Sequence, residues 1–348
     1  MASPPRKPAA ISQGDPGTVV APPKSLTCRA LLRTETLPGK RQNEAMMNRR
    51  EVIAAAAACV LRAQRPASEN ISPVYAESAA LDAFTSDAAD EVAVRIGRFP
   101  WRGSATLWVT VCFGEAVYSA ALEDLKLGSF QGRTPVEKEE VTFNVLGNGQ
   151  ARMTRARNER LVGSAYVSVG THATTEPPPG RGPVRVVLEA HFESSHRPVQ
   201  VRAGRMEVMG HADVMIHVAG RTRRVRGYGK WHEQVGDRPS FAPAFTYFNV
   251  IGQGIGLLAG WRKAGAYGYA WYEGKTVPVK VAEFGPTGDR RKFHVELENG
   301  RVIDGEAVTK RVIAVPIEGQ RRPGATVLVT SSLGAMTGHL NDWDPRAC

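Results

Sequence analysis

An imidazole and a carboxylate stand side by side in the stretch of this sequence that is richest in reactive groups. His232 and Glu233 follow Trp231, and three glycines lie between residues 227 and 236. Such a pair offers a proton acceptor and a proton donor with adjustable pKa values. Consecutive side chains of a strand point to opposite faces, so sharing one cavity requires a bulge or turn, which glycines favour. We predict a catalytic pair, with Glu233 as proton donor and His232 as its partner or as the base.

Aromatic side chains are frequent on both sides of this pair. Aromatic rings can line a dry cavity and attract positive charge that develops in a bound molecule. The alternative is that most of these rings simply belong to the protein core. The residues predicted to bind substrate are Trp231, Arg238, Phe245, Tyr247, Phe248 and Trp261.

Two other groups resemble cofactor sites but have the wrong spacing or context. His211, Asp213 and His217 fall on one face of a predicted strand, yet the outer two would lie ~20 Å apart at strand rise, too far for one metal ion. The glycine-rich stretch 252–256 lies between strand-like runs with no helix after it, which indicates a hairpin turn and not a phosphate loop. No cysteine pair has zinc-site spacing. We therefore predict neither a metal nor a cofactor.

The sequence pattern predicts that these residues lie on strands. From about residue 90 onward the apolar residues alternate, as in 105–113 and 184–192, which is the period of a half-buried strand. About fifteen such runs follow one another, separated by turn residues such as Asn299–Gly300. This pattern predicts an all-β fold of two antiparallel barrels, because one small barrel cannot hold so many strands. We place the domains at residues 68–226 and 227–348.

The first 67 residues have a different character and are predicted to be a disordered leader or an upstream extension. Within residues 46–67, Arg49 and Arg50 precede a short Ala-rich segment, which is typical of a twin-arginine export signal. This interpretation predicts a periplasmic or secreted protein. The alternative is a chance arginine pair on an Ala-rich helix, in a protein that stays in the cytoplasm.

Charge and hydropathy exclude two classes of protein. The net charge is +11, but residues 1–66 carry eleven basic and four acidic residues, a net of +7, which leaves +4 for the rest. A nucleic-acid-binding protein should keep its basic surplus on the folded domain, so we predict no nucleic-acid partner. No apolar run reaches the ~20 residues of a membrane-spanning helix. The four arginines of residues 221–226 suggest a solvated hairpin end or, alternatively, a peripheral contact with lipid head groups. No feature of the sequence indicates an oligomeric state.

The glycine-rich segment resembles the carotenoid 1,2-hydratase (hydroxyneurosporene synthase) family and its lipocalin-like relatives. Gly227 and Gly229, followed by Gly236 and Arg238, match the family frame, and Tyr247–Phe248 match its later aromatic pair. Upstream, residues 94–100 and 107–108 resemble the start of the family's first half. The departure lies in the pair itself, because the family has Asp-His where this chain has His-Glu.

The resemblance implies two packed lipocalin-like (calycin) barrels with a site for an apolar small molecule. It further implies an enzyme that hydrates, isomerises or cyclises an isoprenoid or polyketide-type chain by acid–base chemistry. The alternative is a non-catalytic carrier that holds a hydrophobic ligand in the same cavity. A third hypothesis is a structural β-protein without a ligand.

Overall fold

The computed structural model describes residues 71–128, 132–173, 183–238, 244–263, 265–317 and 320–343. The predicted leader, with its export signal at 46–67, lies outside the described residues. Within the described part, no helix has both the length and the apolarity needed to cross a bilayer.

The described chain is almost entirely β-structure, with one short 3₁₀ turn at Pro100–Arg102. The strands are β1 (Tyr75–Phe84), β2 (Asp90–Phe99), β3 (Ser104–Phe113), β4 (Ala116–Lys126), β5 (Glu140–Val145), β6 (Gly149–Arg157), β7 (Leu161–Ala173), β8 (Val184–Ser194), β9 (Val199–Arg202), β10 (Arg205–Val218), β11 (Arg221–Asp237), β12 (Phe245–Gly252), β13 (Ile255–Arg262), β14 (Gly265–Tyr272), β15 (Lys275–Phe284), β16 (Arg290–Leu297), β17 (Val302–Ile317), β18 (Gln320–Ser331) and β19 (Gly334–Trp343).

Strands β1 to β11 form one antiparallel sheet around its own apolar core. The strand order is β4-β3-β2-β1-β11-β10-β8-β7-β6-β5, with β9 paired to β10. The sheet curls, because β4 also pairs with β7. Alternating side chains of these strands, such as Leu81, Val94 and Val208, fill the enclosed core, and the opposite set faces outward.

Strands β12 to β19 form a closed antiparallel barrel. Its interior is packed with side chains that include Phe248, Leu257, Val295 and Val327. The glycine-rich stretch 252–256 forms the tight turn between β12 and β13, as predicted. The prediction of an all-β protein with antiparallel barrel architecture is confirmed.

The chain leaves the first sheet later than the predicted boundary between residues 226 and 227. That boundary falls inside β11, and the chain passes to the barrel between Asp237 and Phe245. The glycines do not mark a break, because they allow β11 to lie close against its neighbours. A Cβ atom on Gly227 would lie 2.1 Å from the carbonyl oxygen of Phe84.

The outer face of the sheet packs against the outer face of the barrel. Met209 of β10 forms an apolar cluster with Leu258, Tyr269 and Trp271 of the barrel. The two layers approach closely at Gly256, where a Cβ atom would lie 2.3 Å from the Met209 sulfur. This contact leaves a cavity beside it, between the sheet and the barrel.

Candidate active site

The structure places His232 and Glu233 on opposite faces of β11. Both neighbouring strands keep a continuous register past this point, and His232 lies opposite Ala80 of β1 and Glu207 of β10. No bulge intervenes, so the predicted meeting of the two side chains in one cavity does not occur. His232 faces the barrel, whereas Glu233 points into the core of the first sheet.

Glu233 belongs to a closed network inside the first sheet. Arg155 donates to it from Nε at 2.8 Å and from Nη2 at 3.2 Å, and Trp231 Nε1 donates at 3.0 Å. Arg155 also donates to three backbone carbonyl oxygens of residues 136–139. The Trp231 ring packs over Gly163, where a Cβ atom would come within 2.6 Å of the ring. This carboxylate therefore has its partners within the fold.

His232 borders a cavity of about 150 Å³ between the sheet and the barrel. Side chains from both layers form its wall. The sheet contributes Ala80, Asp82, Glu91, Ala93, Val94, Arg95, Trp108, Thr110, Arg205, Lys230, His232, Gln234 and Arg238, and the barrel Phe245, Tyr247, Arg262, Tyr267, Ile313, His339 and Asn341.

A buried carboxylate holds the His232 ring. The Nδ1 atom of His232 lies 2.9 Å from Glu207 Oε1, which also accepts a hydrogen bond from Arg205 Nε at 2.7 Å. The other ring nitrogen, Nε2, is buried and has no hydrogen-bond partner among the described residues. A carboxylate on one ring nitrogen fixes the tautomer and leaves the other nitrogen available to a bound molecule.

Burial keeps this histidine neutral. It lowers the pKa of His232 to about 3, and the positive charges of Arg205 and Arg95 act in the same direction, against the Glu207 carboxylate. Burial raises the pKa of Glu207, but the positive charges of Arg205 and Lys230 outweigh burial and hold it well below its usual range. Neutral His232 therefore donates from Nδ1 to ionised Glu207 and carries a lone pair on Nε2.

A lysine and a tyrosine extend the network along the same wall. Lys230 Nζ donates to the Tyr247 hydroxyl at 2.6 Å and lies 2.9 Å from Asp82 Oδ2. The Tyr247 hydroxyl lies 3.3 Å from Glu207 Oε2. Burial raises the pKa of Tyr247, and the Glu207 charge adds to this. Tyr247 therefore keeps its proton and connects the lysine to the carboxylate that orients His232.

A second histidine lines the cavity from the barrel side. His339 Nε2 contacts the buried carboxylate of Glu91, which also accepts a hydrogen bond from Thr326. Burial lowers the pKa of His339, but the charge and hydrogen bond of Glu91 outweigh it, and the net shift is upward. The cavity thus borders two histidines whose proton affinities shift in opposite directions.

Three buried polar atoms on the cavity wall lack hydrogen-bond partners among the described residues. They are His232 Nε2, Arg262 Nε and the Tyr267 hydroxyl. Buried polar groups in native proteins are nearly always paired, so unpaired ones need a ligand, a water or a functional reason. Here all three belong to residues that border one cavity.

The structure separates the other predicted substrate-binding residues. Phe245, Tyr247 and Arg238 line the cavity. Trp231 lies in the core of the first sheet and Phe248 in the barrel interior. Trp261 is 46% exposed on the surface. The rings that fill the two cores are thus separated from those that face the cavity.

Most of the charged residues that line or support the cavity were not predicted from the sequence. The missed residues are Arg95, Arg205, Glu207, Lys230, Arg262 and His339. A period of two was the available signal for Lys230, because it shares a strand face with the predicted residue His232. Strands β2, β10 and β11 and the barrel meet around one cavity. This arrangement arises from tertiary packing and leaves no pattern in the local sequence.

Three of the four arginines in residues 221–226 make ion pairs with carboxylates and are partly exposed. Arg224 and Arg226 both bind Asp213, and Arg223 binds Asp90. Within the described part of the chain, no group of three or more His, Cys, Asp or Glu side chains is arranged to hold a metal ion.

Comparisons with known proteins give structural likenesses only. No protein-family model matches the chain, and no curated protein matches it. Among solved structures it is similar to CghA, with 14% identity, a TM-score of 0.46 and coverage of 78% of this chain and 87% of that one. It is similar to kievitone hydratase from Nectria haematococca, with 10% identity, a TM-score of 0.42 and coverage of 77% and 87%. It is also similar to a putative ATTH from Nitrosomonas europaea, with 12% identity, a TM-score of 0.37 and coverage of 77% and 92%.

Proposed function

We propose that this protein is an acid–base enzyme acting on a small unsaturated molecule in the cavity between the sheet and the barrel. The observation that carries the proposal is the set of three polar atoms on that cavity's wall that have no hydrogen-bond partner among the described residues, one of them on an imidazole held by a carboxylate. An enzyme needs such groups free before substrate binds. The catalytic centre of this proposal is His232 with Glu207, in place of the predicted pair of His232 and Glu233.

In this proposal His232 is the base. Its Nε2 lone pair takes a proton from water or from the bound molecule. Glu207 then stabilises the imidazolium that forms and keeps the ring in place, as a carboxylate partner of a catalytic histidine does. Because Arg205 and the Tyr247 hydroxyl also contact Glu207, the carboxylate stays ionised and fixed through the cycle.

His339 is the proton donor. Hydration, isomerisation and cyclisation of an unsaturated chain each require one proton to leave and another to arrive. Two titratable groups whose surroundings push their pKa values apart are suited to these two tasks. His232 and His339 border the same cavity, one with a lowered and the other with a raised pKa.

The cavity volume limits the substrate. Pockets for drug-sized ligands have volumes of roughly 300 to 1,000 Å³, and this one has about 150 Å³. A cavity of this volume holds about one six-membered ring. A ring-sized polyketide-type molecule fits this space, whereas a long isoprenoid chain would place only a short segment inside.

The decisive assay uses water addition to, or rearrangement of, conjugated carbonyl compounds. A panel of ring-sized conjugated ketones, aldehydes and acids is incubated with the protein, and the loss of conjugation is followed by ultraviolet absorbance. His232→Gln should lower the rate by about 10²- to 10⁴-fold, the usual contribution of a positioned acid or base. His217→Gln is the matched control, because His217 lies on the exposed face of β10 and contacts Thr222.

Two outcomes would contradict the proposal. Equal rates for the wild type and His232→Gln would remove His232 as the base. Binding of panel members with no turnover by the wild type would favour the alternative of a carrier.

Export through residues 46–67 stays part of the proposal, and mass spectrometry of the mature N terminus tests it.

A further inference from the structure

Positive charge exceeds negative charge around the cavity. Among the described residues, five arginine and lysine side chains line it, and three carboxylates lie on its wall or directly behind it. The cations are Arg95, Arg205, Lys230, Arg238 and Arg262, and the carboxylates are Asp82, Glu91 and Glu207. The difference is two positive charges, before any proton on His339 is counted.

Two of these arginines have no ion pair within the described part of the chain. Arg262 lies over the rings of Phe245 and Tyr267, at 5.6 and 5.3 Å from their centres. Its Nε atom is buried and has no hydrogen-bond partner there. Arg95 lies 5.3 Å from the centre of the Trp108 ring and donates to Ser78 Oγ at 3.1 Å. Both guanidinium groups therefore face the cavity region with positive charge that no carboxylate of the described residues contacts.

The proton affinities in this cluster reflect the same surplus. Burial, together with the positive charges of Arg95 and Arg205, lowers the pKa of Arg238 to about 8. Burial and the positive charge of Arg205 lower the pKa of Arg95 to about 10. Burying like charges together costs stability, so such a cluster is expected where a ligand of opposite charge completes it.

We propose that the cavity binds a small aromatic or conjugated carboxylate. Its carboxylate lies among the guanidinium groups, chiefly those of Arg95 and Arg262, and its ring lies against Trp108, Phe245 and Tyr267. Guanidinium groups pair with planar carboxylates through two parallel hydrogen bonds. A carboxylate also adds fewer heavy atoms to a ring than a phosphate does, which suits the small volume.

This inference rests on the proposed function in that it uses the same cavity and names the class of substrate. It also explains how His232 can take up a proton although its pKa is low in the unliganded protein. A bound carboxylate opposes the positive charges of Arg95 and Arg205, which help to keep His232 from taking up a proton. The substrate thereby increases the proton affinity of the base that acts on it.

Titration calorimetry with three probes tests the charge requirement. The probes are trans-cinnamate, its neutral analogue cinnamamide, and phenyl phosphate. Cinnamate should bind the wild type at least about tenfold more tightly than cinnamamide, because a charge-assisted contact is lost in the amide. Phenyl phosphate should bind more weakly than cinnamate. Equal or tighter binding of the amide, or tighter binding of the phosphate, would overturn the assignment, as would no binding of cinnamate.

Variants separate an anion site from a structural arginine. Arg262→Gln and Arg95→Gln should bring the acid-to-amide affinity ratio close to one. Arg290→Gln, which removes an exposed arginine paired with Glu306, is the matched control and should leave the ratio unchanged. The melting temperature of unliganded Arg262→Gln should not fall, because the substitution removes like-charge repulsion. A fall in melting temperature, or an unchanged ratio, counts against the site. The affinity ratio does not depend on whether the probe is turned over, so this result can fail or succeed separately from the His232→Gln rate assay.

Discussion

Two buried networks lie one residue apart along β11, and they differ in how complete they are. On the core side, both carboxylate oxygens of Glu233 accept hydrogen bonds, and Arg155 uses its remaining donors on backbone carbonyl oxygens. On the side that faces the barrel, Glu207 holds Arg205 and His232, yet His232 Nε2 has no partner among the described residues.

Burial and charge therefore do not by themselves mark a functional site. Glu233 is as buried as His232, and it carries a charged partner of good geometry. The cavity side differs in three ways. It has buried polar atoms without hydrogen-bond partners among the described residues, it has more cations than carboxylates, and it borders a cavity. A satisfied network stabilises one conformation, whereas an unsatisfied one needs a further molecule to complete it.

The strongest predicted change is a loss of stability, caused by a substitution on the core side. Glu233→Gln leaves Arg155 buried without its counter-charge, and breaking a buried ion pair in this way costs about 3 to 5 kcal/mol. We expect a loss of this size in the free energy of unfolding, measured by urea denaturation. The rate per folded molecule should stay near the wild-type value, since the carboxylate does not reach the cavity.

Glu193→Gln provides the control for this comparison. Glu193 lies on β8 and makes an exposed ion pair with Arg160 at 3.7 Å. Exposed pairs contribute little to stability, so this variant should unfold close to the wild-type midpoint. A Glu233→Gln protein of normal stability that has lost turnover would reverse the roles given to the two networks.

The second effect concerns the rate and falls on the cavity side. Glu207→Gln keeps a hydrogen-bond acceptor for His232 but removes the charge that stabilises the imidazolium. We expect kcat for the substrate found in the absorbance panel to fall about 100-fold, with little change in KM. Partial recovery by Glu207→Asp, and a shifted pH profile, would identify a positioning residue. A fall confined to stability, with an unchanged profile, would assign Glu207 a structural role alone.

A smaller effect is the pH dependence of stability, in which the two cavity histidines have opposite signs. The pKa of His232 is about 3 in the folded state, below the ordinary value of 6.5, so unfolding between these values takes up a proton. Stability from this residue is therefore lost as the pH falls through the ordinary value, by at most about 1.4 kcal/mol per pH unit. For His339, whose pKa is raised, stability is present at low pH and is lost as the pH rises through its folded-state pKa.

The measurement is urea unfolding of the wild type and His232→Gln over the pH range below neutrality. Because other titrating groups are shared, the difference between the two slopes isolates His232. We expect the variant to lose stability less steeply on acidification. Parallel curves would mean that the His232 imidazole takes up protons equally well in the folded and unfolded chain.

The sequence predicted the strands, but it did not predict most of the charged residues that line the cavity. This difference has a physical reason. Alternating apolar residues report which face of a strand is buried, and this identified the all-β fold. They do not report what buries it, so Trp231 and Tyr247 received the same role although one faces the sheet core and the other the barrel. The glycines near His232 predict a bulge, but in the structure they permit close strand contact and the register is continuous. The opposite faces of His232 and Glu233 followed from strand geometry alone.

The weakest predicted change distinguishes an aromatic ring in the cavity from one on the surface. Phe245 and Trp261 were both predicted to bind substrate, and they lie on paired strands of the barrel. Phe245 lines the cavity beneath the Arg262 guanidinium, whereas Trp261 is 46% exposed. Phe245→Ala should weaken cinnamate binding by about tenfold, since it removes an aromatic contact of about 1.5 kcal/mol. Trp261→Ala should change the affinity by less than about twofold, as exposed substitutions usually do. Calorimetry under identical salt and pH decides between them, and an equal loss in both variants would place the binding site outside this cavity.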